Sequence, residues 1–222
     1  MQLQSFLAIH FPDLILRPPL FYNWTPSLRF EIGSPAICFR TQQELYINEA
    51  FKRANTLFQH VFQPEDDILL VTTVYAGENN RYLQKNPLHV YGKYVKERSL
   101  LTNLTCTRVP IPADDGEGTY PWFVLACQTK HLRAAALLKA ILHEDFRHHS
   151  TLLKRDRYSG CEVYVVNVTQ QMIFHLYDDR GCDMIAADKE NLRSLYKNFN
   201  HWLLDYDREQ MDEVFADLRK ST

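Results

Sequence analysis

Recognisable catalytic and nucleotide-binding motifs are missing from this chain of 222 residues. It contains no P-loop, no G-x-G-x-x-G and no G-x-S-x-G. Only 7 glycines and 10 prolines occur, which argues against a low-complexity or disordered protein. The formal net charge is -2, so no global charge draws the chain to nucleic acid or to anionic lipid. We therefore expect a non-enzymatic protein with no catalytic residues, no metal, no cofactor and no nucleic-acid partner.

Cysteines and long apolar runs are also few. The 5 cysteines are widely spaced and form no C-x-x-C pair, whereas disulfide-stabilised secreted domains are denser in cysteine. The N-terminus lacks a basic segment followed by a long apolar run, so we predict no signal peptide. The most apolar runs, 123–127 and 134–142, are far shorter than a membrane span. These features predict a cytoplasmic protein outside the membrane and indicate nothing about its oligomeric state.

The spacing of apolar residues predicts an α+β fold. Apolar side chains are 45% of the sequence, enough for a sizeable core. Helices and short β-branched strands alternate in mixed order, which favours a mixed or mainly antiparallel sheet packed by helices. The C-terminal part is predicted to be a three-strand meander followed by two helices. We predict helices at 3–11, 41–62, 132–146 and after Asp188 and Asp207, and strands at 28–32, 36–40, 68–75, 122–129, 162–168, 172–177 and 183–187.

The chain is predicted to form a single domain over residues 1–222. A chain of this length can form one large domain or two small, closely packed ones. The polar stretch 147–160 is a weak boundary, so the alternative is two lobes, 1–146 and 161–222.

Two local motifs set the predicted limits of the first long helix. Gly33-Ser34-Pro35 predicts a turn that joins the strands 28–32 and 36–40. Thr41 and Glu44 have the spacing of a capping box, in which each side chain satisfies a backbone N–H of the other residue.

Acidic and aromatic residues are concentrated near the C-terminus. Residues 178–222 carry 11 acidic and 7 basic side chains, whereas the remainder carries 16 acidic and 18 basic ones. The stretches 174–181 and 202–208 place several of these acids and two arginines beside aromatic residues. Asp178, Asp179, Asp205 and Asp207 lie within the two stretches with Arg180 and Arg208, and Asp183 and Asp188 lie between the stretches.

The turn after strand 172–177 accounts for one of these acids. Asp178 at the first turn position is predicted to accept a hydrogen bond from the backbone two residues on. Gly181 is predicted to supply the left-handed conformation of a type I turn with a bulge.

The starts of the last two helices, which a linker joins, account for two more acids. Asp188 and Asp207 are predicted helix N-caps, and Asp207 with Gln210 repeats the capping-box spacing. Trp202 and Tyr206 are predicted to pin the linker to the core.

The remaining charged residues form a candidate binding surface. Asp179, Asp183 and Asp205 have no assigned backbone role, and Arg180 and Arg208 lie beside them in sequence. We expect these five residues to recognise a partner.

Histidine-containing segments match no metal motif. The segment 143–149 resembles H-E-x-x-H, but Arg147 occupies the position of the second histidine. His175 lies mid-strand, where a hydrogen-bonded sheet residue is expected, and its spacing from Cys161 and Cys182 fits no zinc pattern.

Two charged loops also carry no specific signal. The segment 148–157 is basic but lacks the interleaved aromatics of a nucleic-acid platform, so a solvated loop is expected. The acidic segment 114–117 lacks the 12-residue calcium loop and is predicted to be a surface loop.

The C-terminal third resembles a bacterial family of unknown function whose members are labelled as Rhs-family proteins. The resemblance rests on Tyr177-Asp-Asp-Arg-Gly-Cys-Asp-Met-Ile-Ala-Ala, Leu195-Tyr196 and Trp202-Leu-Leu-Asp-Tyr-Asp-Arg. Arg29-Phe-Glu-Ile-Gly is similar to the family as well. The resemblance implies a small cytosolic bacterial protein, and the Rhs label implies a link to polymorphic toxins and their immunity partners.

Three hypotheses for function follow. The first is a non-enzymatic protein-binding module, in the manner of an immunity protein, whose acidic C-terminal lobe binds a basic, toxin-like protein. The second is a metal-dependent hydrolase or nuclease that uses Asp178, Asp179 and Asp205 with Arg180 or Arg208 on a phosphate. The third is a purely structural domain.

Overall fold

A seven-stranded sheet organises the chain, with strand order β1-β7-β6-β5-β2-β4-β3. The computed structural model describes residues 2–75, 88–110, 119–144, 146 and 160–215. The predicted loop 114–117, the basic segment 148–157 and most of the polar stretch 147–160 lie outside them. Every pair of neighbouring strands runs antiparallel. The strands are β1 (Ser27–Glu31), β2 (Asp67–Tyr75), β3 (Thr105–Pro110), β4 (Thr119–Gln128), β5 (Gly160–Asn167), β6 (Met172–Leu176) and β7 (Gly181–Ala186).

Helices pack on both faces of the sheet. The helices are α1 (Leu3–His10), α2 (Gln43–Val61), α3 (Leu88–Tyr94), α4 (Ala134–Leu142), α5 (Lys189–Asn198) and α6 (Arg208–Phe215). The larger hydrophobic cluster contains residues of α2 to α6 and of one face of the strands. The smaller cluster covers the opposite face with α1 and residues 11–20.

Strand β2 shows why the central strands are apolar on both faces. Leu70 belongs to the larger cluster and its neighbour Leu69 to the smaller one, because successive side chains of a strand point to opposite faces. The sheet mixes strands from both sides of the polar stretch, since β1 pairs with β7 and β2 pairs with β5. The two lobes considered from the sequence therefore share one sheet.

The predicted α+β class, antiparallel sheet and C-terminal meander are confirmed. The predicted strand 36–40 is wrong: these residues form turns, in which Ile37 N–H donates to Ser34 O at 3.1 Å and Gln42 N–H donates to Cys38 O at 2.9 Å. The capping box is also wrong, because α2 begins at Gln43 and Thr41 Oγ1 donates to Cys38 O instead. The predicted N-cap Asp188 is confirmed, since its carboxylate accepts from Glu190 N–H at 2.9 Å.

Candidate functional site

Arg29, on the edge strand β1, joins two buried carboxylates. Its Nε donates to Asp183 Oδ1 at 2.8 Å and its Nη2 donates to Asp183 Oδ2 at 3.2 Å, while Nη1 donates to Asp207 Oδ2 at 3.3 Å. The Asp183 side chain is fully buried and that of Asp207 is 5% exposed. Burial alone would lower the pKa of Arg29, but its hydrogen bonds and charge interaction with Asp183 raise the pKa above its ordinary value. The guanidinium is therefore a permanent cation at the centre of this group.

Aromatic residues surround the Arg29 guanidinium and complete its hydrogen-bond network. Its Cζ lies 4.8 Å from the centroid of the Tyr22 ring and 5.9 Å from that of Tyr177. Tyr22 OH donates to Asp207 Oδ1 at 2.8 Å, and Phe21 N–H donates to Asp183 Oδ2 at 3.0 Å. Burial and the hydrogen bond to Asp207 raise the pKa of Tyr22. The cluster thus ties together β1, β7, the segment 20–23 and the start of α6.

Asp207 does not act as the predicted helix cap. Both of its carboxylate oxygens accept bonds from residues far away in sequence, Tyr22 and Arg29. Asp207 therefore fixes the linker to β1, and Leu204 N–H adds a hydrogen bond to Arg29 O at 2.9 Å.

The turn between β6 and β7 keeps one predicted feature and changes another. Arg180 N–H donates to Asp178 Oδ1 at 2.7 Å, which confirms the predicted turn bond, and Arg180 Nε donates to Asp178 Oδ2 at 2.7 Å. The left-handed conformation predicted for Gly181 is wrong, because its backbone lies outside that region. A Cβ on Gly181 would lie 1.7 Å from Tyr177 Oη, so glycine is required there by the close approach of the Tyr177 ring.

The five residues of the predicted binding surface lie in different settings. Asp183 is in the interior beside Arg29, and Asp179 is buried with a hydrogen bond from Tyr46. Arg180 and Asp205 have side chains that are 73% and 98% exposed. Arg208 lies 3.7 Å from Asp205 and donates two hydrogen bonds to Asn200.

Tyr206 departs from its predicted packing role. Trp202 lies against the core and its ring stacks on Phe199 at 5.2 Å. Tyr206 is 87% exposed, so it does not pin the linker. We call residues 204–208 the Tyr206 loop, since its two ends are fixed and its middle faces solvent.

The three carboxylates named for the metal-dependent alternative have other partners. Asp178 is bonded to Arg180, Asp179 to Tyr46, and Asp205 lies beside Arg208. Among the described residues no three or more His, Cys, Asp or Glu side chains are grouped so that they could hold one ion. These three carboxylates therefore do not form a group that could hold one ion.

A polar row continues from Arg29 across the sheet and was missed by sequence reasoning. Arg29 is opposite Asp183, Asp183 is opposite His175, and Glu162 is opposite Thr73. His175 Nε2 lies 2.7 Å from Glu162 Oε2, which links the two halves of the row. The alternation of polar residues with Phe30, Cys182 and Phe174 was the available signal, but their partners lie on distant strands. We call Arg29, Asp183, His175, Glu162 and Thr73 the polar row.

Asp179 provides a pH-dependent prediction. Burial raises its pKa, and the hydrogen bond from Tyr46 partly opposes that rise. A carboxyl whose pKa is raised by folding contributes stability below its unfolded pKa of about 4, and this contribution is lost as the pH rises through the folded pKa. We expect the unfolding free energy of Asp179→Asn to rise relative to that of the wild type as the pH increases through this range. Urea denaturation at a series of pH values measures both free energies.

The Tyr46 hydroxyl supplies the second arm of that experiment. Tyr46→Phe removes the hydrogen bond that favours the ionised carboxylate of Asp179. The pH range over which the wild-type contribution of Asp179 is lost should therefore extend to higher pH in this variant. A difference between Asp179→Asn and the wild type that stays constant with pH would contradict the prediction.

The described helices include none that is long and apolar enough to cross a membrane. The 5 cysteines are all free thiols. The chain thus carries neither a spanning helix in its described ranges nor a disulfide.

Comparison with known proteins identifies the family of the chain. A family described as Domain of unknown function (DUF3885) matches residues 3–207. The "Uncharacterized protein YnaE" of Bacillus subtilis (strain 168) is 28% identical, over 93% of this chain and 99% of that protein. No solved structure matches the chain. The match includes Arg29 and both of its carboxylate partners, Asp183 and Asp207. The chain therefore belongs to the DUF3885 family, a family of unknown function.

Proposed function

We propose that this protein is a protein-binding module and that the Tyr206 loop is its contact surface. The observation that carries the proposal is the exposure of Tyr206, 87%, in the middle of a loop that is fixed at both ends. Leu204 is bonded to the backbone of Arg29, and Asp207 is bonded to its side chain. The fold holds this backbone in place without using the Tyr206 side chain.

A fixed loop with an exposed tyrosine favours binding for two reasons. Tyrosine is enriched among the residues that dominate binding energy, because its large ring has few rotamers to lose. Binding also costs less free energy when the backbone is ordered beforehand. Tyr22 is half exposed beside the loop, with its hydroxyl held by Asp207, and Asp205 and Arg208 supply charges at the rim. Arg180 lies beside the end of the edge strand β1, since its carbonyl oxygen accepts a hydrogen bond from Ile32 N–H at 2.8 Å.

The charge of the C-terminal part suggests a basic partner. Residues 178–222 carry 11 acidic and 7 basic side chains, and Asp205 is almost fully exposed. Complementary charge steers a partner to its site and raises the association rate. The finer form of the proposal is an immunity-type role against a basic, toxin-like protein in the cytoplasm. It also draws on the resemblance to proteins labelled Rhs.

The Tyr206→Ala variant tests the binding surface. The full chain is used to capture a partner, and the dissociation constant is then measured with both proteins purified. We expect Tyr206→Ala to weaken binding at least tenfold, corresponding to about 1.4 kcal/mol or more. Its unfolding free energy should change by less than about 0.5 kcal/mol, because the side chain is exposed.

Leu45→Ala is the matched control, since Leu45 is also a large exposed side chain, at 53%, but lies on α2. It should bind as the wild type does. If Tyr206→Ala and Leu45→Ala bind equally, or if the chain captures no partner, the proposal fails. A partner with net negative charge, or binding that salt does not weaken, would contradict the basic-partner form alone.

A further inference from the structure

A cavity of about 310 Å³ lies between the C-terminal half of α2 and the start of α4. One wall is formed by Phe58 of α2 and by Phe62, just after that helix, whose buried rings stack at 4.3 Å between centroids. Ala134 and Ala135 of α4 line the cavity as well. Sites for small molecules usually measure about 300–1,000 Å³, so this cavity has room for a small ligand with an apolar part.

The polar side of the cavity is held by backbone hydrogen bonds between separate segments. Lys130 N–H donates to Pro64 O at 2.9 Å, and Lys96 N–H donates to His131 O at 2.8 Å. Lys96, Thr129 and Lys130 therefore line the cavity from segments that are fixed to one another. Binding costs less free energy when the backbone of the site is ordered beforehand.

The two lysines leave one positive charge without a counter-charge at this side. Lys130 Nζ donates to Glu65 Oε2 at 2.6 Å. Lys96 Nζ donates to the carbonyl oxygen of Lys130 and forms an ion pair with no carboxylate in the described part of the chain. The two ammonium groups and the one carboxylate sum to a single positive charge, which a ligand with one negative charge would balance.

Hydrogen-bond donors at the same side also favour an anion. Helix α4 begins at Ala134 without a side-chain cap, and the first N–H groups of a helix have no helical carbonyl to bond. Such N–H groups attract negative charge. Thr129 Oγ1 is buried and has no hydrogen-bond partner within the described ranges. Native proteins satisfy nearly all such atoms, so this hydroxyl indicates a ligand that supplies an acceptor.

We propose that the cavity between α2 and α4 binds a small monocarboxylate with an apolar body. The apolar body lies against Phe58 and Phe62, and the carboxylate accepts hydrogen bonds from Lys96 and from the start of α4. Inorganic phosphate fits less well, because it has no apolar part and carries more than one negative charge. None of the residues that line the cavity belongs to the Tyr206 loop, so this proposal and the proposed function can fail separately.

Amide NMR with phenylacetate tests the proposal. The full chain is labelled with ¹⁵N, and sodium phenylacetate is titrated at constant ionic strength. We expect the amide resonances of Thr129, Ala134 and Ala135 to move and to saturate. Phenylacetamide has the same apolar body without the charge, and acetate has the charge without that body, so each should bind at least tenfold more weakly. Amides that do not respond to phenylacetate, or an equal affinity for either of the other two compounds, would overturn the proposal.

Substitution at Ala135 tests whether the cavity itself is the site. Ala135 is exposed in the first turn of α4, so Ala135→Leu should unfold at the same urea concentration as the wild type. The larger side chain fills the cavity and should abolish the binding of phenylacetate. Unchanged affinity in a folded Ala135→Leu protein would place the ligand elsewhere.

Charge substitutions test the role of Lys96 with a matched control. Lys96→Met keeps an apolar stem and should weaken phenylacetate about fivefold, the effect of losing one exposed charge pair. Arg40→Met removes an exposed cation just before the opposite end of α2 and should change nothing. Glu65→Gln removes the carboxylate that pairs with Lys130 and should strengthen binding. Equal affinities in Lys96→Met and Arg40→Met, or weaker binding in Glu65→Gln, would contradict the assignment.

Discussion

Arg29→Met is expected to destabilise the protein by about 3–5 kcal/mol, the cost of removing one partner from a buried ion pair. The substitution keeps an apolar stem of similar length but leaves Asp183, which is fully buried, without its two charged hydrogen bonds. Asp207 loses its bond to Nη1 as well. Most domains have only about 5–15 kcal/mol of stability in total, so the loss is readily measured by urea denaturation.

A double-mutant cycle separates this effect from lost packing. Asp183→Asn removes the buried charge, so combining it with Arg29→Met should cost much less than the sum of the single changes. Lys52→Met is the control, because Lys52 is 72% exposed and lies 3.9 Å from Glu49, and surface pairs of this kind contribute about 0–1 kcal/mol. If Arg29→Met costs no more than Lys52→Met, the cluster does not hold β1, β7 and the linker together.

Local signals in the sequence predicted the elements that depend on near neighbours. The helix over α2 and the three strands of the meander follow from the spacing of apolar residues. The turn bond of Asp178 and the N-cap of Asp188 also came out as predicted, because each carboxylate acts on a backbone amide two residues away. These interactions are complete within a few residues, so no knowledge of the fold is needed to see them.

Long-range partners explain the features that the sequence did not reveal. Asp207 had the same local cap pattern as Asp188, but Arg29 and Tyr22, 178 and 185 residues away, take its oxygens. An acid in a charge-assisted bond to a buried arginine gains more than an N-cap provides. Thr41 and Glu44 failed for a local reason instead, since Gln42 is the N-cap residue and Thr41 Oγ1 donates to Cys38 O in the preceding turn. The hydrogen-bond partners of Asp207 depend on the order of the strands, and this order has no local signature in the sequence.

The candidate surface changed in the same way. Asp179 and Asp183 were grouped with Asp205 because they are acidic and unassigned, but the fold buries the first two and exposes the third. Tyr206 moved in the opposite direction, from a predicted anchor to the most exposed large hydrophobic side chain of the described residues. A sequence shows which side chains are large or charged, whereas the side of the chain that faces the core follows from how distant segments dock.

Gly181→Ala is expected to cost about 1–3 kcal/mol, the usual penalty for an extra methyl group in a packed site. The new Cβ would lie 1.7 Å from Tyr177 Oη and 2.3 Å from its Cζ. The ring cannot swing away freely, because it lies 5.9 Å from the Arg29 guanidinium and 5.8 Å from the His175 ring. Since the Gly181 backbone is outside the left-handed region, the cost arises from contact with Tyr177 and not from the conformation of the turn.

Because contact with the Tyr177 ring causes this cost, the sign of the stability change in Gly181→Ala should depend on Tyr177. In a Tyr177→Ala background the ring is gone, and Gly181→Ala should be neutral or stabilising, because alanine loses less backbone entropy than glycine on folding. Gly92→Ala is the matched control: nothing lies within 4 Å of the added Cβ, and Gly92 is inside α3, where alanine is favoured by about 0.5–1 kcal/mol. Thermal and urea unfolding of the four proteins of the cycle would measure the coupling. If Gly181→Ala costs the same with and without the Tyr177 ring, the close approach of that ring is not what selects glycine.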